Sequence, residues 1–412
     1  MTGVQTCALP IWRKRALSDT EENKVIKEEG PAETPEKKSE TTEKKSETPE
    51  KKAEATEKKA KKARPRRIKK LKLASIVLAA CLVIAVIVRL AVYLGSFSHT
   101  HLSEEGLTHA IRFQNSVAVH GIDVSQFQDD INWKRVKSSE ADFVFIRAGY
   151  RKAETGELME DEEFRENIRK ANRAGIMTGA YFFSQAVNEP EAIEEAEYLL
   201  DLVKKYDIDM HLVIDYEIYP DGRLEKAIES GDMPAASLYH DIVTAFCRRV
   251  EQDGYESAVY ANYDMLTNYM DASILDDDVT IWAAQYGGEC TVNGDYLFWQ
   301  CSEETAIDGI EDPVDHDIWY IEPGKVYETK AAGKKDPTSI GECEILMDSK
   351  SCKLKNNRAK PKVVVMNGDK KLHPGKDYIL SYVRNTVSGT GYVIVHGIGK
   401  YKDWTTKAFT IE

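Results

Sequence analysis

Between Ile122 and Ile318, short apolar runs alternate with segments whose apolar positions recur every three or four residues. The runs predict eight short, mostly buried strands: Ile122 to Val124, Phe143 to Arg147, Met177 to Phe183, His211 to Asp215, Ser257 to Ala261, Val279 to Ala283, Tyr296 to Gln300 and Val314 to Ile318. Three helices lie between the early ones. Asp161 to Ala174 places Phe164, Ile168, Ala171 and Ala174 on one face and stops at Gly175. Asn188 caps a second helix, with Pro190 in its first turn and Ile193, Ala196, Leu199, Leu200 and Val203 as its stripe. A third runs from about Ala235 to Asp253 and ends at Gly254. After Ala284 the strands follow too closely for full helices between them. The predicted fold is α/β: a TIM-like β/α barrel with the last helices reduced, (β/α)5(β)3.

The texture changes on both sides of this region. Beyond Pro323 a Lys/Gly-rich joint (324–337) leads into strand-like runs separated by turns, CEILMDSKSC, KPKVVVMNG, KLHPGKDYILSYVRN, GTGYVIVHGIGKY and KAFTIE, which predict a small β-sandwich over 338–412. His373 and His396 are isolated there and read as structural or exposed. Upstream, Leu73 to Leu94 is an apolar run broken only by Arg89. As a helix it rises about 33 Å, enough to cross a bilayer. Arg64, Arg66, Arg67, Lys69, Lys70 and Lys72 flank it, which keeps that side in the cytoplasm and puts everything after the span (73–95) and a stalk (96–118) outside. From Thr34 to Lys61 the heptads TPEKKSE, TTEKKSE, TPEKKAE and ATEKKAK lack the large apolar residues of a coiled-coil seam, so 12–72 reads as a disordered charged tail. The opening MTGVQTCALPI (1–11) has no signal-peptide pattern and resembles translated sequencing adapter; the expectation is that it is foreign to the protein.

Composition narrows the function classes. With 56 basic and 69 acidic residues the net charge is −13, which argues against a nucleic-acid binder, and the membrane flank accounts for the one basic cluster. Seven cysteines show no zinc spacing. Cys290 with Cys301 and Cys343 with Cys352 are candidate short disulfides, with free thiols the equal alternative. No metal or organic cofactor is implied.

The chemistry gathers where strands end. In HLVIDYE (His211 to Glu217), Asp215 and Glu217 are separated by one residue, so a continuing strand aims both to one side, about 6 to 7 Å apart along the chain. A solvated loop is the alternative. Asp123 closes the first strand and Asp315 lies in the last; first and last strands adjoin when a barrel closes, so the four acids can converge. Tyr181 and Phe183 from the third strand, Trp282, Gln285 and Tyr286 from the sixth, and Trp299 and Gln300 from the seventh surround them. Aromatic faces with interspersed amides suit a sugar ring.

GIDVSQFQ, FVFIRAGYR (Phe143 to Arg151), AGIMTGAYFFSQA, LVIDYE, IWAAQY, FWQCS and VDHDIWY, in this order across 119–323, resemble the glycoside hydrolase family 25 muramidases, lysozymes of the Chalaropsis type. The resemblance implies cleavage of the β-1,4 bond between N-acetylmuramic acid and N-acetylglucosamine. It makes Glu217 the general acid and Asp215 its partner, matches Asp123 and Asp315 to the family's other two acids, and adds Arg147 and Tyr150 to the substrate-binding set. His316 and Asp317 stand where Leu-Asn is more usual, and Asp317 shares the side of Asp315. The implied protein is a membrane-anchored peptidoglycan hydrolase, its partners glycan strands and the cytoplasmic membrane. A glycan-binding barrel without catalysis and a glycosidase of chitin-like polymers are the alternatives. The C-terminal runs resemble an immunoglobulin-like repeat of bacterial surface proteins, with Asp377-Tyr378 and Gly397 to Tyr401 as landmarks.

Overall fold

The computed structural model describes residues 102–412, apart from 234, 276–278, 331–335 and 356–357. The charged tail and the apolar span expected at 73–95 lie outside the described residues, among which no helix is long and apolar enough to cross a membrane.

Nine strands form the first sheet: β1 (Val117–Val124), β2 (Phe143–Arg151), β3 (Leu158–Glu160), β4 (Met177–Ser184), β5 (Leu212–Tyr216), β6 (Ser257–Asn262), β7 (Ile281–Ala284), β8 (Tyr296–Thr305) and β9 (Val314–Ile321). Eight close into a barrel in the order β1-β9-β8-β7-β6-β5-β4-β2, with β2 returning to β1, while β3 is a hairpin arm on β2 that the sequence reading did not anticipate. Neighbours from β1 and β2 round to β8 are parallel, but β9 is antiparallel to both β8 and β1. Chain length is the reason. A parallel crossover takes roughly a dozen residues, and only 306–313 separate β8 from β9, so the chain turns straight back. The last strand therefore begins at the end where the others finish.

Helices pack outside the early strands: α1 (Trp133–Ser138), α2 (Phe164–Ala174), α3 (Glu189–Val203), α4 (Arg223–Glu229) and α5 (Ala236–Gln252). α2 starts three residues later than expected because Asp161 is engaged elsewhere: its Oδ2 accepts from Arg147 and from the Gln126 N–H. Gly175 ends α2 with φ of 74°, a left-handed conformation that favours glycine. The Asn188 side chain caps α3 as predicted, accepting from the Glu191 N–H. After β6 a π turn (Met265–Tyr269) and a 3-10 turn (Ala272–Ile274) replace a full helix.

Alternation along the strands divides the apolar residues into two layers. Val144, Ile146, Phe182, Ile214 and Val259 face the helices. Phe143, Phe145, Tyr181, Tyr260, Trp282, Phe298 and Trp319 fill the barrel. Gly121 on β1 makes room for this aromatic interior, since a Cβ there would meet the Phe143 ring at 2.4 Å.

The barrel's floor is closed by the C-terminal strands: β10 (Val326–Tyr327), β11 (Thr338–Ser339), β12 (Glu344–Met347), β13 (Ser351–Cys352), β14 (Val363–Asn367), β15 (Lys370–Lys371), β16 (Tyr378–Val383), β17 (Gly389–Gly397), β18 (Tyr401–Lys402) and β19 (Trp404–Ile411). One sheet runs β10-β19-β17-β16 with β13 on β19, another β12-β14-β15, and β11 pairs with β18. Val365 of β14 shares an apolar cluster with Tyr378, Val393 and Val395 of β16 and β17, so the two larger sheets face one another. Val383, Ile394 and Trp404 join the barrel's own interior cluster. Trp404 lies 5.0 Å from Trp319 and stacks on Tyr327 at 4.1 Å, ring centre to ring centre. His396, read from sequence as isolated, holds Asp209 across this seam, Nε2 to Oδ1 at 2.9 Å. Within the expected joint the described residues are tied down: β10 pairs with β19, and Lys330 bridges to Ile208. Cys247, Cys290, Cys301, Cys343 and Cys352 are free thiols, so neither candidate pair is bonded.

Candidate active site

Asp123, the last residue but one of β1, sits opposite Asp315 of the reversed strand β9. Asp215 on β5 stands between Phe183 of β4 and Tyr260 of β6. Asp123, Asp215 and Asp315, with Tyr181, Tyr260, Trp282 and Gln300, line one open pocket. Glu217 lies just past β5. Its Oε2 accepts from Asn262 Nδ2 at 3.2 Å, and Gln185 Nε2 donates to its carbonyl at 3.3 Å. Tyr216 between the two acids points the other way, its hydroxyl donating to the Ala186 carbonyl at 2.9 Å. The strand alternation thus extends through the acid pair.

Gln300 ties the wall together. Its Nε2 donates to Asp123 Oδ2 at 2.7 Å, and its Oε1 accepts from the Tyr260 and Tyr286 hydroxyls at 2.9 and 3.1 Å. Arg147 is buried, held to Asp161 at 2.8 Å and flanked by the rings of Phe127 and Tyr150. Burial works against its charge, but Asp161 outweighs it and raises its pKa.

Burial dominates the electrostatics of the acids. It pushes Asp123 up to about 7, against the hydrogen bonds from Gln300 and Asp317 and together with the charge of Glu217. Asp315 rises well above the usual carboxylate range, first from burial and then from Asp123, Glu303 and Glu217. Burial and these carboxylates also push the Tyr260 and Tyr286 hydroxyls up, keeping both neutral. Crowded, dehydrated acids that retain protons are what proton transfer to a leaving oxygen requires.

A stability prediction follows from Asp123. Between its ordinary value of 3.8 and about 7, the folded chain keeps a proton that the unfolded chain has lost, so stability falls as pH rises through that window and the loss is complete above it. Asp123→Asn removes the charge and is expected to stabilise the fold by about 1–3 kcal/mol at pH 8 and hardly at all at pH 4. Thermal unfolding at the two pH values measures this.

Two residues expected at the site face away. Trp299 is fully buried in the outer layer between sheet and helices, its indole N–H donating to the Gln285 carbonyl at 2.8 Å. It alternates with Phe298 and Gln300, which point inward. Gln285 has left the strand and binds Thr291 in an exposed turn. Phe183 packs edge-on against Tyr219 at 6.1 Å. Residues not singled out from sequence are Tyr260, Asn262 and Glu303. Tyr260 was within reach, because period-2 alternation puts it level with Asp215 and Trp282; Asn262 is recognisable only once β6 is placed beside β5.

Residues 122–310 match the family model described as glycosyl hydrolases family 25. Over this stretch the barrel is similar to the family 25 glycosyl hydrolases. Over 237 residues the chain is 27% identical to the uncharacterized protein YegX of Escherichia coli K12, a match spanning 56% of this chain and 79% of that one. It is 27% identical to lysozyme M1 of Streptomyces globisporus over 48% of this chain and 66% of that one. Among solved structures it is similar to the bacterial lysozyme from Streptomyces coelicolor, at 23% identity and a TM-score of 0.41, covering 49% of this chain and 91% of that chain. The family match and the lysozyme relatives together support a glycoside hydrolase.

Proposed function

We propose that this family 25 hydrolase is a membrane-anchored muramidase that cleaves the β-1,4 bond between N-acetylmuramic acid and N-acetylglucosamine in peptidoglycan. The observation that carries this reading is the convergence of Asp123, Asp215 and Asp315 on one pocket floored by Trp282 and bridged by Gln300, with Glu217 two residues from Asp215. Glu217 gives its proton to the glycosidic oxygen as the C1–O bond breaks. The acetamido oxygen of the same sugar attacks C1, with Asp215 accepting from the acetamido N–H and orienting it. Water then opens the ring so formed, and its proton returns to Glu217. Arg147 and Tyr150 extend the binding wall, and Tyr181 and Trp282 offer faces to the sugar. The C-terminal strands are read as an immunoglobulin-like module, and the apolar segment 73–95 as the anchor that holds the barrel outside the cell, against the cell's own wall.

Turbidity loss of purified sacculi, with mass spectrometry of the released muropeptides, tests the assignment on the full chain in mild detergent. Products with reducing N-acetylmuramic acid are expected. Binding without cleavage, or activity confined to chitin oligomers, would replace it with one of the two alternatives. The acetamido route predicts the retained anomer by proton NMR on soluble glycan, and Asp215→Asn is expected to lower kcat about 100-fold or more. An inverted product would exclude acetamido attack.

A further inference from the structure

Asp317 lies two residues beyond Asp315 on β9, fully buried, level with Gly121 of β1 and Gln300 of β8. Its Oδ1 accepts from the Trp282 indole N–H at 3.0 Å. No donor among the described residues reaches its Oδ2. Yet its side chain is hydrogen-bonded to that of Asp123, which is itself an acceptor, taking the Gln300 amide on Oδ2. Two carboxylates cannot bond to one another unless a proton lies between them. We propose that Asp317 is a positioning residue that holds this proton on Oδ2 and donates it to Asp123, fixing the Asp123 carboxylate in the pocket wall.

The surroundings supply the reason for the proton to stay. Facing the pair are Asp315 on β9, Glu303 and Cys301 on β8, Tyr260 on β6, Tyr181 on β4 and Glu217 after β5; the cation acting on Asp123 is Arg147 of β2, already bound to Asp161. Burial first, then the charges of Asp123 and Asp315, push the Asp317 carboxyl well above its usual range. Once Asp123 has ionised, the pair still shares one proton. Loss of that proton at higher pH turns a hydrogen bond into repulsion between two buried anions and releases Asp123 from its place.

An amide reproduces the neutral acid and cannot ionise: the Asn oxygen accepts from Trp282 and its N–H donates to Asp123. Asp317→Asn is therefore expected to keep kcat/KM within about threefold of the native enzyme at acid pH and to move the alkaline limb of the pH profile upward. Asp317→Ala, which leaves Trp282 and Asp123 without their partner, is expected to lose about 10- to 100-fold at every pH. Difference infrared spectra of the full chain at pH 8 give a readout independent of turnover: Asp317→Asn is expected to lose one carboxyl's share of the protonated C=O band of the native protein, whatever Asp315 contributes to the rest. The proposal is overturned if that band is equal in both proteins, or if the Asn variant is as impaired as the Ala variant with an unmoved limb. The positioning role rests on the muramidase reading of the pocket, whereas the proton does not. A native protein that cleaves no glycan but loses that share of the band in Asp317→Asn would refute that reading and uphold the proton on Asp317.

Discussion

Glu217→Gln is expected to lower kcat on peptidoglycan by about 10²- to 10⁴-fold while leaving glycan affinity and thermal stability near their native values. Glutamine has the volume of glutamate and keeps an oxygen for Asn262 Nδ2, the contact that holds the side chain at 3.2 Å. What it lacks is a proton that can be given to the leaving oxygen. The loss should therefore fall on turnover and not on binding, which single-turnover kinetics and a glycan pull-down separate. Asp315→Asn is the informative companion. Asp315 is buried and pushed above its ordinary pKa by burial and three neighbouring carboxylates, so an amide there replaces an acid whose charged form is already disfavoured. A Glu217→Gln enzyme with near-native turnover would remove Glu217 from the role of acid and leave the buried, proton-bearing aspartates as candidates.

Much of this arrangement was legible in the chain because the barrel repeats two simple periods. Apolar runs fixed the positions of all eight barrel strands, and Asn188 and Gly175 marked helix ends by mechanisms that act within a few residues. Direction was harder. The reversal of β9 has a local cause in the short 306–313 connection, but its effect is long-range: it brings Asp315 beside Asp123 and puts Asp317 beneath both. Side-chain facing failed where a strand had already ended, as for Gln285, or where an aromatic suited either layer, as for Trp299. Beyond its spacing from Asp315 and its place where Asn is more usual, Asp317 carries no sequence signal, since its partners Trp282 and Asp123 come from β7 and β1. The joint after Pro323 looked like a linker because Lys and Gly dominate its composition, whereas Tyr327 and Lys330 within it are used in the seam.

Trp404→Ala is expected to destabilise the barrel and the C-terminal strands together by about 3–5 kcal/mol, the cost of emptying a large buried aromatic site. Trp404 is fully buried, stacks on Tyr327 and meets Trp319, the last ring of the barrel's own aromatic interior. Removing it opens a cavity beneath Trp319 that neither layer can fill alone, although Val383 and Ile394 and polar contacts such as His396 to Asp209 and Lys137 to Ser381 still cross the seam. Catalysis below the transition should survive, because the pocket lies where β1 to β8 end and Trp404 lies where they begin. Calorimetry of the native chain is expected to show one cooperative transition for residues 102–412, lowered by roughly 10 °C in the variant. Two separate native transitions, with the barrel's unmoved by Trp404→Ala, would make the C-terminal strands a passenger. A single lowered transition makes them the floor on which the barrel stands, so that a barrel open at the end that holds the acids is closed at the other by its own C-terminal sheet.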